Sequence, residues 1–311
     1  MATVLPVKGA PAGAFPANME SPIRKTPFAW QPLTPRGVAA FAPASLGRLL
    51  AMQFVIALLA AAAIVWFLHE AWWPTIGEAV SRLPTAGEIR SGALVWLAES
   101  PASLAEGQFL ALTVDLKHEG KARSPAHIQV EFGEKDCEVF SLLGFVKGAY
   151  PPEWVVAFNR EHLVPWWGAW EPALLGITVV LVVSGLLLVW AALATVYALP
   201  VWLLGFFANR QLTLPGSWRL AGAALMPGAL LLSAAIVLYG AGAFGLIELA
   251  AAAAAHVLVG WLYLISSPLR LPVHPAVAGT KANPFLTPAI APAPTAEAPK
   301  GAEPEPPPAE G

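Results

Sequence analysis

Long apolar runs alternate along the chain with one region of period-two patterning. The first run, LGRLLAMQFVIALLAAAAIVWF, lies within a transmembrane helix predicted over 46–68. Its apolar core carries no charge and reaches the roughly 20 residues a bilayer requires. Two further spans are predicted at 220–240 and 243–265, and only Ala241 and Gly242 separate them, which makes a tight helical hairpin. The run Ala173–Ala208 is longer. As helix it would extend about 54 Å, against a hydrocarbon core of roughly 30 Å. Two spans would leave no residues for a turn. One span over 172–208, with a kinked or interfacial extension at Pro200, is therefore expected.

Between the first two spans, residues 69–171 read differently. HEAWWPTIGEAVSRLP has the pattern of a helix leaving the membrane. QFLALTVDLKH then places Leu110, Leu112, Val114 and Leu116 on one face and Thr113, Asp115 and Lys117 on the other. AHIQVEF separates Ala126, Ile128, Val130 and Phe132 from His127, Gln129 and Glu131 in the same way. Such alternation predicts half-buried strands with a solvated polar face. EIRSGALVWLA, EVFSLLGFV and EWVVAF read as further strands, with turns at HEGKARSP and GEKD. The predicted fold class is an α-helical integral membrane protein of four spans with a small extracytoplasmic β-rich (α+β) domain, its sheet mostly antiparallel.

Charge orients this plan. The first 48 residues hold Lys8, Arg24, Lys25, Arg36 and Arg48 against Glu20, whereas residues 70–171 hold eight basic and fourteen acidic residues. The loop 209–219 has Arg210 and Arg219 and no acid. The positive-inside rule puts the arm and that loop in the cytoplasm, both termini inside, and the acidic domain outside, in a bacterial inner membrane. Only 12% of residues are charged and 57% are hydrophobic, about half the charge of a soluble domain. Residues 1–45 and the Pro/Ala/Glu-rich 266–311 read as disordered cytoplasmic tails, the first too long and polar for a signal peptide. Six tryptophans fall where the domain meets the bilayer: Trp66, Trp72 and Trp73 leaving it, Trp166, Trp167 and Trp170 entering it. They form the expected aromatic belt. NREHLVPWWGAWEP then reads as a membrane-anchoring hinge, with Asn159 capping a short helix and Pro172 opening the second span.

The order RLPTAGEIRSGAL, PASL, LTVDL resembles a family of uncharacterised bacterial multi-pass membrane proteins, some labelled maltodextrin-utilisation proteins of the MalA type. In that family a Leu-Pro, an Ile, a Gly and a later Asp recur in an outer segment between one N-terminal span and a C-terminal bundle. The matching positions are Leu83, Pro84, Ile89, Gly92 and Asp115; Leu116 stands where the family has threonine. The resemblance implies an envelope protein of unassigned activity, and so bears on architecture rather than on a reaction.

Candidates for chemistry are few. Glu248 and His256 lie inside the last span, where ionisable groups are costly and mark polar paths or interhelical contacts. Eight residues apart, they cannot touch, but Ser233 or Tyr239 of the neighbouring helix would extend a path between them. His118, His127 and Glu131 lack the spacing of a zinc site, and Asp115, His118 and Ser124 lack a fixed triad geometry. The single cysteine, Cys137, excludes an internal disulfide and is expected to be a small buried hydrophobe. No catalytic, cofactor or metal residue is assigned, and the sparse basic residues give no case for nucleic acid. The expected function is a non-enzymatic scaffold, sensor or accessory subunit, with the lipid bilayer and a membrane or extracytoplasmic protein as partners. The alternatives are a small-solute or proton-coupled carrier using Glu248 and His256, and a membrane-bound enzyme with an outer site.

Overall fold

The computed structural model describes residues 31–142 and 144–274. The expectations for Lys8, Arg24, Lys25 and the distal Pro/Ala/Glu-rich tail lie outside the described residues. A short helix α1 (Pro35–Ala39) precedes α2 (Leu46–Phe67), which passes through one π-helical turn (Leu68–Trp72) into α3 (Trp73–Arg82). The turn has a local cause. Pro74 has no N–H to return to Glu70, and the Trp73 N–H instead reaches back to the Leu68 carbonyl. Eight strands follow: β1 (Gly87–Arg90), β2 (Ala93–Trp96), β3 (Ala102–Glu106), β4 (Leu110–Val114), β5 (Ile128–Phe132), β6 (Asp136–Ser141), β7 (Gly144–Ala149) and β8 (Val155–Val156). Then come α4 (Arg160–Phe207), α5 (Leu214–Ala224), α6 (Met226–Gly240) and α7 (Leu246–Ser266).

Four helical stretches are long and apolar enough to cross a membrane: Leu46–Arg82, Arg160–Phe207, Leu214–Gly240 and Leu246–Arg270. The second is one continuous helix of 48 residues, about 70 Å long. Asn159 caps it by accepting from the His162 N–H at 3.1 Å, as its sequence predicts. Pro165, Pro172 and Pro200 all lie inside it, so neither the expected hinge before Pro172 nor a break at Pro200 interrupts it. A proline removes one ladder bond, and the helix on either side retains the rest. The third stretch is broken at Leu225, just before Pro227, into α5 and α6.

The helices pack through small residues, which let their backbones approach closely. Gly216, Ser217, Ala221, Gly222, Ala223 and Ala224 of α5 are buried, and Gln53 of α2 donates to the Gly222 carbonyl at 3.2 Å. At Gly228 the backbone of α6 meets α7 so closely that a Cβ would collide with the His256 carbonyl oxygen. Residues 35–44 and 267–271 were assigned by composition to disordered tails. Instead, Val38, Phe41 and Ser267 are fully buried, and Leu271 is nearly so. Their apolar side chains fill the end of the bundle between α1, α5 and α7, which a Pro/Ala-rich count does not register.

The strands form two sheets, β2-β1-β8 and β3-β4-β5-β6-β7. Every pairing is antiparallel except β4 with β5, where Leu110–Val114 run beside Ile128–Phe132 in parallel register. A parallel pair cannot be closed by a hairpin. The HEGKARSP region, expected to be a simple turn, is accordingly part of a crossover over residues 115–127 that traverses one face of the larger sheet. The other face packs Leu104, Ala105 and Val114 against Ala79 and Leu83 from α3 and the end that follows it, Ile89 and Leu94 from the small sheet, and Phe158.

The five positions quoted for the resemblance fall in different parts of the domain. Leu83 and Ile89 are buried, the Pro84 carbonyl accepts from the Arg160 N–H, and Asp115 is 1% exposed. Gly92, at φ +74° beside Ser91 at φ 49°, makes the two-residue β1–β2 turn with both central residues left-handed.

Replacing Gly228 by alanine should lower the melting temperature of the detergent-solubilised chain, costing about 1–3 kcal/mol as α6 and α7 are forced apart. Gly176→Ala, where no atom lies within 4 Å, should be neutral or slightly stabilising in the same assay.

Candidate functional site

The polar face of the larger sheet is covered rather than solvated. Thr113 and Asp115 of β4 and its end are 1% exposed, Gln129 of β5 is 3% exposed, and Glu131 is 0% exposed. This corrects the expectation of an open polar face. The alternation is correct, but the crossover lies over it and supplies polar partners. Gln129 Nε2 donates to Thr113 Oγ1 at 3.1 Å and to the Ala122 carbonyl at 2.9 Å, while its Oε1 accepts from the Ser124 N–H at 3.0 Å. The Gly120 N–H donates to Asp115 Oδ2 at 3.1 Å, and the Arg123 guanidinium lies 3.7 Å above the Phe140 ring.

At the centre is His118, in the left-handed region at φ 51°. Its ring packs on Gly133, where any Cβ would collide with it. Nδ1 donates to Glu131 Oε1 at 2.6 Å and Nε2 to Asp136 Oδ1 at 2.7 Å, with Glu138 Oε2 3.7 Å away. Lys147 of β7 closes the other side, 3.1 Å from Asp136 and 3.0 Å from Glu138. His118 and Lys147 thus face three carboxylates. Burial disfavours the charged imidazole, but the bonds to Glu131 and Asp136 outweigh it and raise the His118 pKa above 6.5. Burial likewise opposes ionisation of Asp136, yet Lys147 and His118 bring its pKa below 3.8.

The sequence isolated His118 and Glu131 but missed Asp136, Glu138 and Lys147. Their signal lies in the register, which places Glu138 opposite both Glu131 and Lys147 on one face. His118, Asp136 and Glu138 bring ligand atoms within 4.8 Å of one another, a spacing metal ions use. Both imidazole nitrogens are nevertheless engaged as donors, and the Lys147 ammonium occupies the anionic side of the set. Cys137, on the opposite face, packs in the core, where burial and the neighbouring acids push its thiol up to about 11.

The crossover also seats the domain. His127, at its end, shares a hydrogen bond of 2.6 Å with the Tyr239 hydroxyl at the end of α6. Phe67 of α2 and Phe109 complete a four-ring cluster: Phe109 lies 4.9 Å from Tyr239, and Phe67 lies 5.4 Å from both. Of the predicted tryptophans, Trp73 and Trp167 pair at 5.4 Å, Trp166 and Trp170 stack at 6.4 Å, Trp72 meets Phe67, and Trp66 lies against Gly240.

Glu248 and His256 are not brought together. Glu248 caps the start of α7, where its Oε2 accepts from the Gly245 N–H at 2.9 Å. His256 Nδ1 donates to the Ala253 carbonyl, and Ser233 to that of Ala229. His256 and Ser233 do line a shared apolar cleft of about 220 Å³ between α4, α6 and α7, whereas the Tyr239 hydroxyl turns outward to His127. No family model, curated protein or solved structure matches the chain.

The two pKa shifts define a pH window. A raised His118 pKa contributes stability fully below 6.5 that is lost as pH rises through the folded value; a lowered Asp136 pKa contributes fully above 3.8 and is lost as pH falls through it. Domain melting followed against pH should show a plateau between these limits. His118→Gln should abolish the decline on the alkaline side.

Proposed function

We propose that the chain is a non-enzymatic, multi-pass protein of a bacterial inner membrane, and that its extracytoplasmic sheet domain docks an extended apolar segment of a partner protein along β7. The observation that carries this reading is the state of that edge. All six residues of β7 are exposed, including Phe145 at 64% and Val146 at 73%, with Leu142 beside them at 65%. Natural sheets usually protect such an edge with lysine. Here the one lysine of the strand is paired with Asp136 and Glu138 while its side chain stays 49% exposed, and Gly144 and Gly148 leave the edge unobstructed. An incoming strand would gain unused main-chain hydrogen bonds and apolar contact together.

Orientation and rigidity support the same reading. Arg36, Arg48, Arg210, Arg219 and Arg270 gather at the end of the bundle remote from the acidic domain, as cytoplasmic placement of both termini requires. The His127–Tyr239 joint fixes the domain against the helices, so that a docked segment would be held at a set height above the bilayer. The MalA-type resemblance of residues 82–116 agrees with an envelope protein and names no reaction. The carrier reading retains the His256 cleft but loses its carboxylate to the α7 cap.

A photo-reactive phenylalanine analogue introduced at Val146 and irradiated in native membranes tests the proposal. The expected product is one discrete adduct whose mapped peptide is an extended apolar segment of another protein, lost with Phe145→Asp and retained with Leu97→Asp on the other sheet. An adduct with a second copy of this chain, or capture that survives Phe145→Asp, would contradict it.

A further inference from the structure

The end of the bundle opposite the sheet domain carries an open cavity of about 890 Å³. It lies between the end of α4, the start of α5, the segment after α1 and the segment after α7. The walls are stitched together: the Gln211 N–H donates to the Pro272 carbonyl at 3.0 Å and the His274 N–H to that of Asn209 at 2.8 Å. Asn209 holds φ 53° to make the turn.

Two arginines line this cavity, and among the described residues neither meets a carboxylate. Arg219 donates twice to the Ala42 carbonyl, from Nε at 3.1 Å and Nη2 at 2.7 Å. Arg210 donates from Nη1 to the Leu271 carbonyl at 2.8 Å, and its Nε is buried with no partner. Through residues 31–68 and 172–274 the only acid is Glu248, at the opposite end in the α7 cap. Guanidinium groups held partly out of water against neutral carbonyls remain short of negative charge. The α5 N-terminus adds to the same field: Thr213, its cap, lines the cavity and accepts from the Gly216 N–H at 3.1 Å, so the positive end of the helix opens there.

The opposite wall is apolar. Trp202 and Phe206 of α4 stack at 5.8 Å and line the cavity, and Phe206 and Phe207 are 61% and 76% exposed along the outer surface of that helix. A phosphate on the arginines would therefore continue into acyl chains along α4. We propose that this cavity binds the phosphate of an anionic phospholipid of the inner leaflet, with Arg210 and Arg219 as its charged donors. The proposal rests on the membrane-spanning reading. Free phosphate offers the arginines the same chemistry, but it gives the aromatic wall nothing to cover.

The test uses the full chain extracted from membranes in a non-ionic detergent, so recovery in the membrane pellet checks the membrane reading separately. Dioleoyl phosphatidylglycerol and dioleoyl phosphatidylcholine are titrated, and retained lipid is counted by native mass spectrometry. Wild type should hold one phosphatidylglycerol roughly tenfold more tightly than phosphatidylcholine. Arg210→Gln and Arg219→Gln should lose that preference, while Arg36→Gln and Arg270→Gln, exposed at the same end but outside the cavity, should keep it. Because Arg210 and Arg219 also hold backbone carbonyls, His274→Glu supplies a second variant: His274 is exposed, lines the cavity and bonds Asn209 through its main-chain N–H, so the new charge should expel the anionic lipid with the melting temperature unchanged. Equal retention of the two lipids by wild type, or equal losses in the Arg36 and Arg270 variants, would overturn the proposal. Displacement of bound phosphatidylglycerol by millimolar inorganic phosphate would assign the cavity to a soluble anion instead.

Discussion

A carboxylate with no access to water, Glu131, sets the terms for the sheet domain. Removing an ionised group from water costs on the order of several kcal/mol unless charge and hydrogen bonds meet it. Here they come from His118, which must be carried across the sheet to reach it. The crossover that brings His118 is the same chain that joins β4 to β5 in parallel and ends at His127. Pairing, loop path and seating of the domain are therefore one solution. Gln129 and Asp115 hold the crossover at its middle, and Tyr239 holds its end on the bundle.

The two ends of the molecule meet different electrostatic demands. In the sheet domain, acids outnumber bases, and the carboxylates of the His118 cluster are answered by that histidine and Lys147. Lys147 pairs with Asp136 and Glu138 while remaining exposed on β7. At the far end, among the described residues, arginines outnumber acids and rely on carbonyl oxygens. The two proposed ligands, an extended apolar segment and an anionic headgroup, would bind at these two ends.

The four long apolar helices were legible because length and apolarity are properties a sequence displays directly. Helix ends and breaks were less so. Pro200 and Pro172 read as interruptions, yet a long helix absorbs each lost bond. Strand faces were legible as alternation, but AHIQVEF looks the same whether His127, Gln129 and Glu131 face water or a polar loop. Only the parallel register distinguishes the two, and register is a long-range property. Glu248 shows the converse. Seen as an intramembrane acid it calls for a path, whereas its position three residues after Gly245 already spells a helix cap. Phe41 and Val38 were hidden in a Pro/Ala-rich stretch whose composition averages away two well-placed apolar side chains.

Amide hydrogen exchange on the full-length chain in detergent, comparing wild type with Glu131→Gln, tests most directly whether the buried carboxylate pins the crossover and, through it, the domain. The expected result is faster exchange across residues 115–127 and around Tyr239, with the core of α2 unchanged. Protection of residues 115–127 that is indifferent to the loss of the Glu131 charge would contradict it.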